Sequence, residues 1–319
     1  MNRLSICALL ILIFGCLGTQ HESIVPEVFN QTANQTMPAP SIVIQNTTAT
    51  PEQEQNQTVL VQTQNHEFKI LIPPVGLYNA QGMEGDSIIL TNGTNALIIE
   101  SGPKEHVPIV QTIINNITQV SYLSLIPYKP YWSGFEYIEE RSNVTKIYLL
   151  DTNNSVFEPT YNEFRARLKH TYTTVMLEEK DIIEFDGATI RVERKGTPEL
   201  ESSAPILTIT YGSTCILIPT KSNYNSELEI INRLNLSCPI HLASNHGLGY
   251  ESNDMRTFFF VAKPKAVIIT GGPDEDVAAQ KGRGILYNVL NDLHIPQYKA
   301  FEKTVTIRFN QTTYEILQN

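Results

Sequence analysis

Two β-hairpins, each followed by alternating strands and helices, constrain the fold of this 319-residue chain more than any other feature. The dipeptides Asn92-Gly93 and Gly212-Ser213 each lie between two short apolar runs. A tight turn of this composition between apolar runs is typical of a hairpin. Because the same plan occurs twice, we predict an α/β fold in which two sheets pack face to face with helices outside, an αββα sandwich. We place this domain at 66–319.

Apolar periodicity predicts the remaining elements, since strands repeat every two residues and helices every 3.6. Helical spacing occurs at 107–117, 161–169, 226–234, 253–261 and 276–293. Apolar runs predict strands at 68–72, 75–78, 86–91, 96–100, 120–126, 146–150, 172–176, 182–185, 189–192, 206–211, 215–218, 239–243, 266–270, 304–309 and 313–317. We predict that the polar and aromatic stretch between 126 and 146 is a loop, and that Phe258-Phe259-Phe260 belongs to the core.

The first 18 residues have the pattern of an export signal. Arg3 supplies a positive charge, and Ile6–Phe14 is an apolar segment that is short for a membrane span. Cys16 follows directly, which resembles a lipoprotein signal with Cys16 as the lipidated residue. A plain signal peptide or an uncleaved anchor is the alternative. Each version places the rest of the chain outside the membrane. With a lipid or signal anchor, the membrane is a partner and the domain lies at the extracellular face of the cell membrane.

Residues 19–65 are rich in Asn, Gln, Thr and Pro and poor in aromatics. Such a segment cannot bury enough apolar surface to offset its conformational entropy, so we predict a disordered tether. The chain also contains Asn-x-Ser/Thr sequons, which in an exported protein are candidates for glycosylation; the alternative is that Asn and Thr are simply abundant. The candidate acceptors are Asn30, Asn34, Asn46, Asn56, Asn92, Asn116, Asn143, Asn153, Asn235 and Asn310.

Cysteine placement and net charge exclude two classes of function. Cys215 and Cys238 flank the predicted helix 226–234, and in an oxidising compartment they are candidates for a disulfide. The alternative is a pair of buried thiols. The Cys and His residues near these two cysteines are too few for the four ligands of a structural zinc site. The net charge of −10 and pI near 5.2 argue against direct nucleic-acid binding, which needs a basic surface.

Five segments carry a resemblance to a known family, in the family's own order. They are Asn79–Leu90, Ala96–Gly102, Ser202–Ile209, Ala243–Gly247 and Ala262–Gly272. Together they resemble the metallo-β-lactamase fold, closest to the C-terminal extracellular domain of the competence protein ComEC. Asn79 stands where the opening motif usually has Asp, and Met83-Glu84 is an insertion. The resemblance implies the αββα sandwich predicted above and, in active members, a hydrolytic metal centre.

The positions that the resemblance assigns to metal ligands have lost all but one of their ligands, since His246 alone remains and a single imidazole does not hold a hydrolytic metal. Active members carry a His-x-His-x-Asp-His loop, a bridging Asp and a His-His-Gly segment, which together hold the metals that activate water. The corresponding residues, which we expect to form a degenerate cleft, are Pro127, Lys129, Tyr131, Trp132, Thr220, Asn245 and His246. Proline has no side-chain ligand, lysine is a cation, and the indole N–H has no lone pair to donate. We therefore expect no catalytic residue, no metal ligand and no cofactor.

Two functions stay open at this point. The preferred one is a catalytically inactive binding or structural module at the cell surface, with a protein or glycan partner. The alternative is a metal-dependent hydrolase of phosphodiesters or related esters, with a rearranged site built from Asp86, Glu100, Asp274, Asp276 and His246. The carboxylates at 274–276 also suit a helix cap or a Ca²⁺ ligand set.

Aromatic residues concentrate around the degenerate cleft. They are Tyr122, Tyr128, Tyr131, Trp132, Phe135 and Tyr137. They have two interpretations: they fill the space left by the lost ligands, or they present a surface to a partner.

Overall fold

The computed structural model describes residues 67–75, 86–150, 159–194, 205–220, 224–235, 237–243, 247, 252–271, 277–310 and 312–318. All of them belong to one unit, Gln62–Asn319. Their strands form an eight-stranded and a seven-stranded sheet, and a continuous apolar core lies between the two. Helices cover the outer face of each sheet through two further apolar clusters. The predicted αββα sandwich is confirmed.

In chain order the strands are β1 (Phe68–Ile72), β2 (Ser87–Thr91), β3 (Asn95–Ser101), β4 (Gln119–Ser124), β5 (Val144–Leu150), β6 (Thr174–Leu177), β7 (Ile182–Phe185), β8 (Ala188–Arg194), β9 (Ile206–Tyr211), β10 (Thr214–Ile218), β11 (Ile240–Leu242), β12 (Ala266–Ile269), β13 (Gln297–Lys299), β14 (Val305–Phe309) and β15 (Tyr314–Gln318). The helices are α1 (Val107–Ile114), α2 (Lys129–Trp132), α3 (Phe135–Arg141), α4 (Pro159–Thr171), α5 (Tyr224–Leu234), α6 (Ser252–Ala262) and α7 (Val277–Asp292).

Strand direction brings the ends of several strands together. The first sheet has the order β15-β14-β1-β2-β3-β4-β5-β6 and the second β13-β12-β11-β10-β9-β8-β7. Pairing is parallel from β3 to β6 and from β10 to β13. Residues at the carboxyl ends of β3, β10, β11 and β12 line one cavity, so all four strands finish at the same end of the sandwich. We call it the pocket end.

The strands and helices differ from the sequence-based prediction in a few places. The stretch predicted as a loop after β4 contains α2 and α3, because Trp132, Phe135 and Ile138 are buried against the first sheet. The short strand β13 was not predicted, since none of its three residues is fully buried. Of the strand predicted at 75–78, Val75 lies in a turn and the rest lies outside the described residues.

The prediction that the Phe258-Phe259-Phe260 run belongs to the core is wrong in its last member. Phe258 and Phe259 are 1% exposed, whereas Phe260 is 64% exposed. Three consecutive helical residues span about 200° around the helix axis, too wide for one buried face. Among the described helices, none is both long and apolar enough to cross a membrane.

Cys215 and Cys238 are joined by a disulfide, with their Cα atoms 4.6 Å apart. The bond links β10 to the segment that enters β11 and so closes a loop that contains α5. A crosslink of this kind lowers the entropy of the unfolded chain, and it persists in oxidising compartments.

Candidate functional site

The cavity at the pocket end contains a buried carboxylate. Glu100 is the penultimate residue of β3, has a φ of 55° and is only 3% exposed. One of its oxygens, Oε1, accepts hydrogen bonds from the backbone N–H groups of Leu125 and Ile126, at 2.5 and 2.6 Å. The Tyr122 hydroxyl donates to Oε2 at 3.4 Å. Glu100 therefore connects the end of β3 to the backbone that follows β4.

Burial raises the pKa of the Glu100 carboxyl to about 8. Removal from water disfavours the charged form and is the largest influence. The hydrogen bonds from Leu125, Ile126 and Tyr122 act in the opposite direction, and the nearby charge of Asp86 adds to the rise. At neutral pH the carboxyl is therefore mostly protonated.

The cavity itself is small and mainly apolar. Its volume is about 20 Å³, enough for roughly one water molecule. The polar residues that line it are Asp86, Glu100, Thr220 and Thr270, and Tyr131 contributes an aromatic ring. The remaining lining is aliphatic, from Ile88, Ile99, Leu125, Ile126, Ile218 and Leu242, with Pro219 and Ala243.

The segment between β4 and α3, which carries the first four positions of the degenerate cleft, is tied to the end of β3 by backbone hydrogen bonds. The N–H of Gly102 donates to the Tyr131 carbonyl, and the N–H of Gly134 donates to the Gly102 carbonyl, both at 3.1 Å. Within the segment, the Trp132 indole N–H donates to the Pro127 carbonyl at 3.2 Å. The segment is therefore fixed in place over the cavity.

We expect Gly134→Ala to destabilise the protein by about 1–3 kcal/mol, because an added Cβ has no room. It would lie 2.6 Å from Val107 Cγ2 and 2.9 Å from the Gly102 carbonyl oxygen. Gly284→Ala is the matched control, since a Cβ on this helical residue meets nothing within 4 Å. The control should stabilise by about 1 kcal/mol through helix propensity. Urea unfolding measures both, and equal effects would contradict the close packing at Gly134.

Three of the four loop positions point away from the cavity. Pro127 is buried, Lys129 is exposed, and Trp132 is buried under the helices, where its ring stacks on Phe164 at 4.6 Å between centroids. Tyr131 alone of the four lines the cavity, and it is 2% exposed within the core between the sheets.

Of the remaining positions of the predicted cleft, the structure describes Thr220, which follows β10 of the second sheet. Thr220 lines the cavity after β10, with a φ of 47°, and its hydroxyl donates to the Pro205 carbonyl at 2.5 Å. Asn245 and His246 lie outside the described residues. Within the described part of the chain, no group of three or more His, Cys, Asp or Glu residues is placed to hold a metal ion. Among the described positions, the side chains of Pro127, Lys129, Tyr131, Trp132 and Thr220 do not fit the metal centre that the fold family implies.

The aromatic residues divide into a buried and an exposed set. Tyr122, Tyr131, Trp132 and Phe135 are at most 7% exposed and pack in the core clusters. Tyr128 and Tyr137 are 39% and 42% exposed. Core filling therefore accounts for four of the six, and the other two remain accessible to a partner.

Of the carboxylates considered for a rearranged site, the structure brings Asp86 and Glu100 to one cavity. Asp274, Asp276 and His246 lie outside the described residues, as does the rest of the acidic turn after Gly271. From the sequence, Glu100 was considered only as one carboxylate of a rearranged site. The signal was an acidic residue near the end of the apolar run 96–99, two residues before Gly102.

A second buried titratable residue, His241, lies outside the cavity. It is on β11, 2% exposed, with its ring 5.6 Å from that of Phe258 on the helix side of the sheet. Burial lowers the pKa of His241 to about 4, although a hydrogen bond with the Cys238 backbone opposes this shift. The imidazole is therefore neutral at pH 7 and has a structural role.

Solved structures with the metallo-β-lactamase fold match this chain. The metallo-β-lactamase fold protein YhfI from Bacillus subtilis aligns with a TM-score of 0.51 at 11% identity, over 73% of this chain and 95% of YhfI. CmlA, a diiron β-hydroxylase from Streptomyces venezuelae, aligns with a TM-score of 0.50 at 11% identity, over 80% of this chain and 54% of CmlA. The chain thus spans about half the length of CmlA.

No protein-family model matches the sequence, and no curated protein matches it. The two sheets, the outer helices and the structural matches together define a protein with the metallo-β-lactamase fold. Because identity is only 11%, these matches establish the fold and nothing about chemistry.

Proposed function

We propose that this protein is an exported, lipid-anchored and catalytically inactive member of the metallo-β-lactamase fold, closest to the C-terminal extracellular domain of ComEC. It serves as a binding or structural module at the extracellular face of the cell membrane. One observation carries the proposal: the cavity where active members hold their metals is lined by Tyr131 and by a buried, hydrogen-bonded Glu100.

The chemistry of this cavity supports inactivity. A hydrolytic metal needs several converging donors in their deprotonated form. Glu100 is mostly protonated at neutral pH, and its Oε1 already accepts two backbone hydrogen bonds. The Thr220 hydroxyl already donates a hydrogen bond to the Pro205 carbonyl. Space for about one water molecule leaves no room for an ester substrate.

The test is metal content and turnover of the purified full-length protein. Elemental analysis should find no stoichiometric zinc, iron or manganese after purification without chelators. Hydrolysis of bis(4-nitrophenyl) phosphate should equal the buffer rate, with or without added Zn²⁺. An occupied mononuclear or dinuclear centre, with turnover abolished by EDTA and restored by metal, would overturn the proposal.

The alternative, a hydrolase with a rearranged site, is favoured by the meeting of Asp86 and Glu100 at one cavity. The variants Asp86→Asn and Glu100→Gln separate the two functions. A hydrolase would lose metal and turnover in both, whereas an inactive module would show no change in either measurement. Lys129→Gln, at an exposed position outside the cavity, is the control in both cases.

The partner of the module is proposed to be a protein or a glycan, and the anchor is the lipid on Cys16. Tyr128 and Tyr137 are the aromatic residues of this region that a partner would meet, since they are exposed.

Cys16→Ser should move the protein from the membrane fraction to the soluble fraction and remove the lipid mass. Unchanged membrane association would mean that the apolar segment anchors the chain without lipid.

A further inference from the structure

The described part of the domain contains five sequons, and all five lie at the end of the sandwich opposite the pocket. They are Asn92, Asn116, Asn143, Asn235 and Asn310. The sixth sequon of the domain, Asn153, lies outside the described residues. The sequence alone gives no reason for this grouping, because the five are spread over more than two hundred residues.

Strand direction places the first three sequons together. Asn92 lies in the turn between β2 and β3, Asn116 lies just before β4, and Asn143 lies directly before β5. These strands run parallel from β3 to β5, so they begin at the same edge of the sheet. Glu100 and the cavity lie at their other end.

Hydrogen bonds confirm that these three turns are neighbours. Thr118, the third residue of the Asn116 sequon, donates from its N–H and its hydroxyl to the Thr94 carbonyl, at 2.8 and 3.0 Å. Thr94 is the third residue of the Asn92 sequon. The Asn143 amide in turn donates to the Thr118 carbonyl at 3.4 Å.

The fourth sequon lies at the same edge of the first sheet. Antiparallel pairing of β1 with β14 puts Phe68 opposite Phe309, so Asn310 follows at the edge where β1 begins. Glu67, which precedes β1, is the first described residue after the predicted tether. The first described residue after the predicted tether and the Asn310 sequon therefore lie at the same end of the domain.

The fifth sequon lies on the second sheet at the corresponding end. Phe68 stacks on Tyr211 of β9, with ring centroids 4.6 Å apart, which aligns the ends of the two sheets. Tyr211 pairs with Thr214 at the start of β10, and β11 runs parallel to β10. Asn235 lies between α5 and the start of β11, so it belongs to this end.

The acceptor side chains are accessible. Asn116, Asn143, Asn235 and Asn310 are exposed, and Asn92 is half-buried. In Asn310 the side-chain oxygen accepts hydrogen bonds from the backbone N–H groups of Thr312 and Thr313. Glycans are bulky and require acceptors on surface loops, which describes each of these turns.

We infer that this end is a modification surface that carries N-linked glycans, and we call it the glycan end. The inference rests on the export that the proposed function includes. In the modification, the Asn Nδ2 attacks the anomeric carbon of an oligosaccharide linked to a lipid diphosphate. The C–N bond forms, the C–O bond to the diphosphate breaks, the lipid diphosphate leaves, and the amide gives up one proton to solvent. The glycosylation machinery of the exporting cell supplies the oligosaccharide donor.

The consequence is a domain with two unlike ends. Glycans at five neighbouring turns would cover the end from which the tether leaves and prevent close packing of that end on a membrane or another protein. Within the described residues, the pocket end carries no sequon, and Tyr128 is exposed beside Lys129 in the segment over the cavity. Glycans at the five turns would therefore keep a macromolecular partner away from the glycan end.

Glycopeptide mass spectrometry of the full-length protein, produced in a host that modifies exported Asn-x-Thr sequons, tests the inference. We expect high occupancy at Asn116, Asn143, Asn235 and Asn310, and lower occupancy at the half-buried Asn92. The tether sequons Asn30, Asn34, Asn46 and Asn56 serve as internal controls. Occupied tether sites with bare domain sites would overturn the inference, and so would ten bare sites in a host that modifies an exported reporter.

Matched variants check that each glycan mass is attached to the Asn residue to which it is assigned. Asn116→Gln should remove one glycan, whereas Thr118→Ser should keep it because serine preserves the sequon. Glycan loss in Thr118→Ser equal to that in Asn116→Gln would count against the assignment. Failure here is separable from failure of the proposed function: bare domain sites in a metal-free, inactive protein overturn only the glycan end. Full occupancy with chelator-sensitive turnover overturns only the inactivity.

Discussion

Glu100→Gln should remove the loss of stability that the wild-type protein shows as pH rises from 4.5 to 8. The pKa of Glu100 is raised in the folded state to about 8, against 4.5 as the ordinary value. The carboxyl therefore holds its proton more tightly in the folded state than in the unfolded state. The contribution of Glu100 to the free energy of unfolding is thus greatest below pH 4.5 and falls as pH rises to 8. The full span amounts to about 5 kcal/mol. Glutamine keeps the shape and the acceptor oxygen but cannot ionise.

Urea unfolding at a series of pH values measures this effect. Above pH 8 the glutamine variant should be several kcal/mol more stable than the wild-type protein. Glu100→Ala is the control, because it also removes ionisation but leaves the buried N–H groups of Leu125 and Ile126 without an acceptor. It should be less stable than the glutamine variant at every pH, by about 1–3 kcal/mol per unpaired group. If the free energy of unfolding changed with pH in the same way in the wild-type and glutamine proteins, Glu100 would not be protonated in the folded state.

His241→Gln should have the opposite consequence for pH dependence. The pKa of His241 is lowered in the folded state to about 4, against 6.5 as the ordinary value. Stability is therefore fully present above pH 6.5 and is lost as pH falls towards 4, by about 3 kcal/mol in total. The variant should lack this acid-side loss. His170→Gln, at an exposed position on α4, should leave the profile unchanged. If His241→Gln still lost stability between pH 6.5 and 4 as the wild-type protein does, the loss could not be assigned to His241.

The two residues act against each other between pH 4.5 and 6.5. In the wild-type protein the rise from His241 and the fall from Glu100 partly cancel over this range, which should give a broad stability maximum. In each single variant, the free energy of unfolding should change with pH as the other residue dictates. In the double variant it should be nearly independent of pH over this range. Glu100 lies at the cavity and His241 on the outer face of the second sheet, so their effects should be additive.

The sequence predicted the fold well because most strands and helices bury residues at a regular spacing. Strands such as β10 and β12 are apolar runs bounded by turn residues, and α5 and α7 carry apolar residues at helical spacing. The helices α2 and α3 were missed because they are short and lie among prolines and aromatics. Pro130 in the first turn of α2 was a usable signal, since proline is common there.

The site was harder to predict than the fold because it depends on contacts between distant parts of the chain. The substitutions at Pro127, Lys129, Tyr131 and Trp132 were readable from the sequence, but nothing local indicated that only Tyr131 faces the cavity. The two backbone groups that hold Glu100 are 25 and 26 residues away from it. No periodic pattern encodes such a contact, and the same is true of the burial of His241.

The position of β1 bears on how the domain responds to force. The strand lies in the interior of the first sheet, paired with β14 on one side and β2 on the other, and the predicted tether joins at its first residue. Drag on the outer part of an anchored protein would pull along the axis of β1. In that shear geometry the hydrogen bonds to both neighbours resist together, whereas an edge strand would peel away one bond at a time. The strand that follows the predicted tether is thus held by hydrogen bonds on both sides.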